Sequence, residues 1–209
     1  QRKYRERGRR NLLVSTPDLL HKLPGARWQP NLVPVHEPRY LPFHGAKPGP
    51  PDRPVTIAHS PTRKDLKNTD DLLTAVEALQ SEGLPVTIDM LDAHPHKVCL
   101  ERKRRAHVCF DHLQGYYGMS SLEALSQGLP VVAGINAWNE RSIKERFGVD
   151  SLPWVVSDPV SLPGDLRGLV TDADRRNRLG EESRRFMVEH WNDRAVAGQL
   201  AAFYADLES

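Results

Sequence analysis

Cysteine is scarce in this chain: there are two in 209 residues, Cys99 and Cys109, and neither falls in a C-x-x-C or zinc-like spacing. That excludes a disulfide-stapled scaffold and predicts a reduced pair in a cytoplasmic protein. Long apolar runs are missing too. None approaches the roughly 20 residues that span a bilayer, and no signal-peptide pattern opens the chain. There is no internal repeat. Charge of one sign is also lacking: 29 Lys and Arg against 27 Asp and Glu leave a net +2. A nucleic-acid partner is therefore not expected. The local exception is QRKYRERGRR, residues 1–10, read as a solvated helix or tail in preference to a phosphate or membrane contact. The chain opens on this charged segment without Met, so a fragment of a longer protein is expected.

What is present is a globular composition, 39% hydrophobic, long enough for one sizeable α/β domain with extra helices or for two small domains. NLLVS (11–15) reads as a short strand and TPDLLHKLPGA as a helical turn. Residues 30–54 are rich in proline and poor in periodicity, the pattern of a linker. Strands and helices then alternate. The strands are VTIAH, PVTIDML, AHVCFD, PVVAG and PWVVS. A helix capped by Thr69 carries Leu72, Leu73, Val76 and Leu79 on one stripe and ends at Gly83. Further helices are expected near 96–105, 120–127 and 138–147, and the last third is helical. This alternation predicts a Rossmann-like parallel sheet flanked by helices. In such sheets ligands bind beyond the carboxyl ends of the strands.

Two strand-to-helix loops carry candidate chemistry. HSPTRKDLKNTD (59–70) holds Arg63, Lys64 and Lys67 before a helix start. Cations beside free backbone N–H groups suit a diphosphate, although an ordinary polar loop has the same spacing. YYGMSSLEALSQGLPVVAG (116–134) is the second. Gly118 permits close backbone approach, and Met119, Ser120 and Ser121 present N–H groups at a helix N-terminus. Glu123 has two readings. Ser120-x-x-Glu123 fits a capping box, and a carboxylate there also suits the hydroxyls of a ribose. Asp89/Asp92 and Asp70-Asp71 invite a metal reading, although Asp70-Asp71 also reads as a dipole-favoured first helical turn. His94 and His96 read as a solvated loop, and Asp111-His112 as a strand end near the cleft.

These two stretches resemble the C-terminal half of a retaining GT-B glycosyltransferase, of the large bacterial lipopolysaccharide and capsule type (glycosyl transferases group 1). The family pattern is a basic loop ending Lys-Gly, then Glu-Gly-Phe-Gly-(x)4-Glu-Ala and Gly-x-Pro-Val. The match covers about 55–205 and, less closely, 11–40. Gly118, Glu123, Ala124, Gly128, Pro130 and Val131 all fall in place. The resemblance implies that Lys67 meets the diphosphate, with Arg63 near the usual arginine, and that both stabilise charge in catalysis. Gly118, Met119 and Ser120 would hold the donor through the loop backbone, and Glu123 the ribose. Two departures stand out: Asn68 replaces the glycine after the lysine, and Gly115 replaces the family's sugar-binding glutamate. A subgroup with Asp-Gln-Leu…Gly-Trp-Tyr-Gly lacks that glutamate too.

The resemblance divides the chain into 1–53, the end of an N-terminal domain with the interdomain linker; 54–190, a nucleotide-sugar-binding domain; and 191–209, a C-terminal helix. It implies a transferase domain that takes a nucleotide-diphosphate sugar as substrate, with no bound metal and no further cofactor. An N-terminal acceptor-binding domain would complete it, and the isolated domain would be inactive. The alternative is a non-catalytic module derived from such an enzyme, binding a nucleotide or a partner protein. The full enzyme is expected in the cytoplasm, with peripheral contact at the inner membrane. Val196, Leu200, Phe203 and Leu207 stripe the last helix, which needs cover either from its own domain or from a second copy in a homodimer.

Overall fold

The computed structural model describes residues 11–45, 47 and 49–208. The basic run at 1–10 lies outside them. Five strands form one parallel sheet: β3 (Val55–His59), β4 (Val86–Met90), β5 (Val108–Phe110), β6 (Val131–Ala133) and β7 (Trp154–Val156), in the order β4-β3-β5-β6-β7. Register pairs Val55 with Val86, Ile57 with Val108, Cys109 with Val131 and Val131 with Trp154. The strands read as near-continuous apolar runs because helices cover both faces. Side chains alternate between those faces. Val108, Phe110, Val132 and Val155 pack under α2 (Thr69–Ser81) and α6 (Leu162–Thr171), with Leu72, Val76, Leu79, Leu166 and Leu169 closing that core. Cys109, Val131, Ala133 and Trp154 point the other way, into a core with α4 (Met119–Ser126) and α7 (Ala173–Glu189).

That second core holds the outlying parts of the chain. β1 (Leu13–Val14) and β2 (Arg27–Trp28) form a small parallel sheet with α1 (Leu19–Lys22) between them. Residues 27–28 carry no strand signal in the sequence, because a two-residue strand is too short for periodicity. Trp28, Tyr117, Phe147, Trp154 and Phe186 gather around Trp191, which is fully buried. Polar edges of these rings fix the segment: Trp191 Nε1 donates to Asn31 O at 3.0 Å, Trp28 Nε1 to Ser15 O at 3.1 Å and Tyr117 Oη to Ser15 O at 3.2 Å. Buried indole and phenol groups need such partners. The final helix, α8 (Asp193–Glu208), buries Val196 and Phe203 on its own chain, while Leu207 stays exposed. Gln29 Nε2 reaches Val196 O, and the Arg27 guanidinium lies over the Phe203 ring. Its own domain therefore covers the first part of that stripe.

Helix α2 corrects one expectation. Thr69 lies inside the helix as its first residue, and Asn68 occupies the cap in a left-handed conformation (φ 52°, ψ 37°). The Thr69 hydroxyl is instead spent on His59, at 2.9 Å from Nε2. Two further helices, α3 (His96–Lys103) and α5 (Ala137–Phe147), fall where expected. α7 lies hard against the end of α4. A Cβ on Gly180 would sit 2.5 Å from Gly128 O, a backbone atom that cannot yield without moving a helix end.

Gly180→Ala is therefore expected to destabilise the chain by roughly 1–3 kcal/mol in urea denaturation, the cost of overpacking. Gly198→Ala on α8, where a Cβ meets nothing within 4 Å, should gain about 0.5–1 kcal/mol. Equal effects of the two substitutions would remove the close contact from the account.

Candidate functional site

The strand order reverses between β3 and β5: the chain moves outward from β3 to β4, then back across to β5 and on to β6 and β7. A doubly wound sheet opens a crevice at such a switch point, beyond the carboxyl ends of the strands. The two loops singled out by sequence meet there. Asn68 joins them. Its Oδ1 accepts from Leu113 N at 2.9 Å and from Gln114 Nε2 at 3.1 Å, while its Nδ2 donates to Asp71 Oδ2 at 2.7 Å. The residue that replaces glycine thus tolerates the left-handed turn and adds a clamp.

Asp111 is the centre of the arrangement. It directly follows β5 and is 2% exposed. Its Oδ1 lies 3.1 Å from Lys67 Nζ, and its Oδ2 accepts from Gly118 N at 2.5 Å and Ser121 Oγ at 2.7 Å. Burial raises its pKa, but His112, Lys67, the Ser121 hydroxyl and the Gly118 N–H outweigh this and hold it below the usual carboxylate value. A helix N-terminus favours negative charge, and the chain places its own carboxylate at the edge of this one. The N–H groups of Met119 and Ser120 have no acceptor among the described residues. A Cβ on Gly118 would stand 2.9 Å from Asp111 Oδ1 and 3.0 Å from Lys67 Nζ, so only glycine fits beside the pair.

Glu123 is buried in the same helix and does not cap it. The cap is Gly118, without a side-chain bond, and Ser120 is the second helical residue. The capping-box reading therefore fails: Asp111 already meets the Gly118 N–H, the helix starts two residues early, and Glu123 lies too far in to reach back. Its carboxylate instead holds Lys103, with Nζ 2.7 Å from Oε2, and His96, with Nε2 2.6 Å from Oε1. Lys103 is 1% exposed. Burial lowers its pKa, but Glu123 more than compensates, so the ammonium titrates above its ordinary value. Sequence reasoning missed Lys103 because it sits in a charged stretch, HKVCLERK, that looks solvated. His96 remains largely exposed but is tied to Glu123 at the crevice rim.

The structure brings Lys67, Gly118, Met119 and Ser120 together and sets Glu123 one turn further along α4. Arg63 stands apart. It is exposed and paired with Asp65 at 2.5 Å, and Lys64 pairs with Asp92 at 2.7 Å. Gly115, where the resemblance expects a glutamate, has φ +87°. A Cβ there would press on Asn136 Nδ2 at 3.0 Å, so a glutamate would be strained at this backbone. His59 lies beneath the crevice, 1% exposed. Its Nδ1–H donates to Phe110 O at 3.2 Å, and its Nε2 accepts from Thr69. Burial pulls its pKa from 6.5 down to about 4.

Two outcomes follow from these buried charges. Glu123→Gln should cost about 3 kcal/mol in urea denaturation, because Lys103 loses its counter-ion in the interior. Adding Lys103→Met should recover most of that, and a loss below about 0.5 kcal/mol for the single variant would refute the pairing. Stability should also fall on acidification. Between pH 6.5 and 4 the unfolded chain protonates at His59 while the folded chain refuses the proton, so about 3 kcal/mol is lost over that window. The depressed pKa of Asp111 adds further loss below it. A flat stability profile from pH 7 to pH 4 would contradict the buried neutral imidazole.

No protein-family model matches the chain, and no curated protein does. Solved structures do. A mutant of S. aureus TarM, in complex with Fondaparinux, alpha-GlcNAc-glycerol and UDP, aligns over 93% of this chain and 43% of its own, at 13% identity and TM-score 0.67. Sucrose-phosphate synthase from Thermosynechococcus elongatus aligns over 94% of this chain and 58% of its own, at 17% identity and TM-score 0.66. The C-terminal domain of a glycosyl transferase group 1 family protein (LpcC) from Francisella tularensis aligns over 77% of this chain and 98% of its own, at 15% identity and TM-score 0.55. The chain thus spans 43% and 58% of the two longer proteins. At such identities the likeness is one of architecture: the chain has the Rossmann-like fold of the C-terminal domain of GT-B glycosyltransferases.

Proposed function

We propose that this chain is the donor-binding half of a GT-B glycosyltransferase and takes a nucleotide-diphosphate sugar into the β3/β5 crevice. The observation that carries this reading is the convergence of Lys67 with the two open N–H groups of Met119 and Ser120 at the start of α4. A diphosphate docked there exchanges water for two helix N–H donors and an ammonium. Lys67, partly exposed beside Asp111, is within reach of both its internal carboxylate and an entering phosphate. Arg63 reaches the diphosphate only by leaving Asp65, a fully exposed pairing that costs little to break. One turn on, Glu123 accepts from the ribose hydroxyls over the rim held by His96. Lys103 keeps that carboxylate ionised and fixed.

Catalysis in this reading is charge stabilisation on the leaving diphosphate by Lys67, Arg63 and the α4 N-terminus. The acceptor and its domain lie in another part of the protein, and the chain alone transfers no sugar. No helix among the described residues is long and apolar enough to cross a membrane. From the resemblance we infer a cytoplasmic enzyme with peripheral contact at the inner membrane. One observation favours a second reading, a nucleotide-binding module without transfer activity: the left-handed Gly115 removes the sugar-binding glutamate of the resemblance. Sugar transfer by the chain joined to an acceptor domain would decide between them.

The test is calorimetry on Lys67→Gln, which keeps a donor for Asp111. Its affinity for the nucleoside diphosphate that the wild type binds (UDP, GDP or ADP) should fall about tenfold, some 1.4 kcal/mol. The matching nucleoside should bind unchanged. Equal losses for nucleoside and diphosphate would remove Lys67 from the phosphate site.

A further inference from the structure

Beside the N-terminus of α4 lies a cavity of about 420 Å³, within the range of small-molecule sites. Its walls come from two parts of the chain. Ser15, Thr16, Asp18 and Asn31 arrive from the segment around α1, and Tyr116 and Met119 from the loop and first turn of α4. The first wall is held firmly. Besides the ring contacts to Ser15 and Asn31, Asp18 N donates to Asn139 Oδ1 at 3.2 Å.

Asp18 is the unusual group in this wall. It occupies the cap position of α1 and makes no side-chain cap bond, although an aspartate there ordinarily turns onto the helix N–H groups. Its Oδ1 is buried and has no hydrogen-bond partner among the described residues, while the residue as a whole is only partly buried, so Oδ2 is the oxygen that a ligand in the cavity can meet. Leaving a buried carboxylate oxygen unsatisfied is costly, and such an exception calls for an explanation. The charge of Asp18 is close enough to contribute to the raised pKa of Tyr116, after burial.

The chemistry of the wall selects the ligand class. The Asp18 carboxylate accepts hydrogen bonds from hydroxyl pairs, Ser15, Thr16 and Asn31 add neutral donors and acceptors, and Lys22, which also lines the cavity, adds a cationic donor that serves hydroxyls as well. That is a lining for a polyhydroxylated ring. Met119 belongs both to the helix terminus that would take the diphosphate and to the cavity wall. A sugar attached to a diphosphate on α4 would therefore enter this space. The neighbouring backbone at Gly115 is left-handed and cannot easily carry the glutamate that the resemblance expects. We propose that Asp18, across the cavity, is the carboxylate that reads the hydroxyls of the donor sugar. This assignment rests on the nucleotide-sugar reading above and deepens it.

Saturation-transfer NMR on the 209-residue chain tests it, with UDP-glucose, GDP-mannose and ADP-glucose as probes. For the probe that the wild type binds, sugar-ring and nucleobase protons should both be saturated. Asp18→Ala should lower the sugar-to-base ratio at least threefold while the base signal persists. Asp18→Asn, which keeps the shape, reads the same ratio if the alanine variant fails to fold. An unchanged ratio in these variants would overturn the Asp18 assignment and leave nucleotide binding standing. Absence of base saturation with every probe on the wild type would overturn the nucleotide reading and this assignment together. Saturation of free glucose or mannose that depends equally on Asp18 would place an acceptor sugar in the cavity and overturn the donor assignment.

Discussion

A single buried carboxylate, Asp111, holds the centre of this domain together. It directly follows the central strand β5, neutralises Lys67 from the loop after β3 and accepts from both the Gly118 N–H and the Ser121 hydroxyl. The loop after β3, the end of β5 and the start of α4 are thereby fixed to one point at the mouth of the sheet. Its desolvation is offset only because every partner is in place, which is the condition under which a buried charge is tolerable. The same condition explains Gly118: a side chain there would displace the ion pair. The start of α4, and hence the direction in which its free N–H groups point, follows from this one carboxylate.

A second charged pair works in series with the first. Glu123 and Lys103 join α4 to α3 in the interior. The first pair meets the start of α4 through Gly118 and Ser121, and the second holds Glu123 a turn later, so α4 is anchored electrostatically at two points along its length. Its other face is apolar and packs through Leu122 and Leu125 into the core under β5 and β6. A helix gripped on both sides makes a rigid platform, which suits recognition that depends on angstrom-scale placement of donors.

Much of the architecture is legible in the sequence, and the parts that are not have identifiable causes. The strands are visible because burial on both faces makes them continuous apolar runs, and α2 because Leu72, Val76 and Leu79 recur on one stripe. Asn68 is readable as a left-handed residue. β2 is not readable, because Arg27 and Trp28 pair with β1 for only two residues. Ser120-x-x-Glu123 misleads because the pattern is local, whereas the register of α4 is set by Asp111, seven residues before Gly118. Lys103 is invisible for a related reason. A lysine is solvated unless its partner is buried, and that partner lies 20 residues away. The candidate phosphate residues are legible as types, but the internal anion they share requires the fold.

The two cysteines acquire a use from where they lie. Both are buried free thiols, and burial pushes Cys109 up to about 11. At neutral pH Cys109 is thus fully protonated and behaves as a small hydrophobe, inert to oxidants and alkylating agents. Its sulfur rests in the core directly beneath α4, so a reagent reaches it only when that helix lifts from the sheet. The rate at which a thiol probe labels Cys109 therefore clocks the opening of the platform itself, a built-in reporter that needs no engineered label.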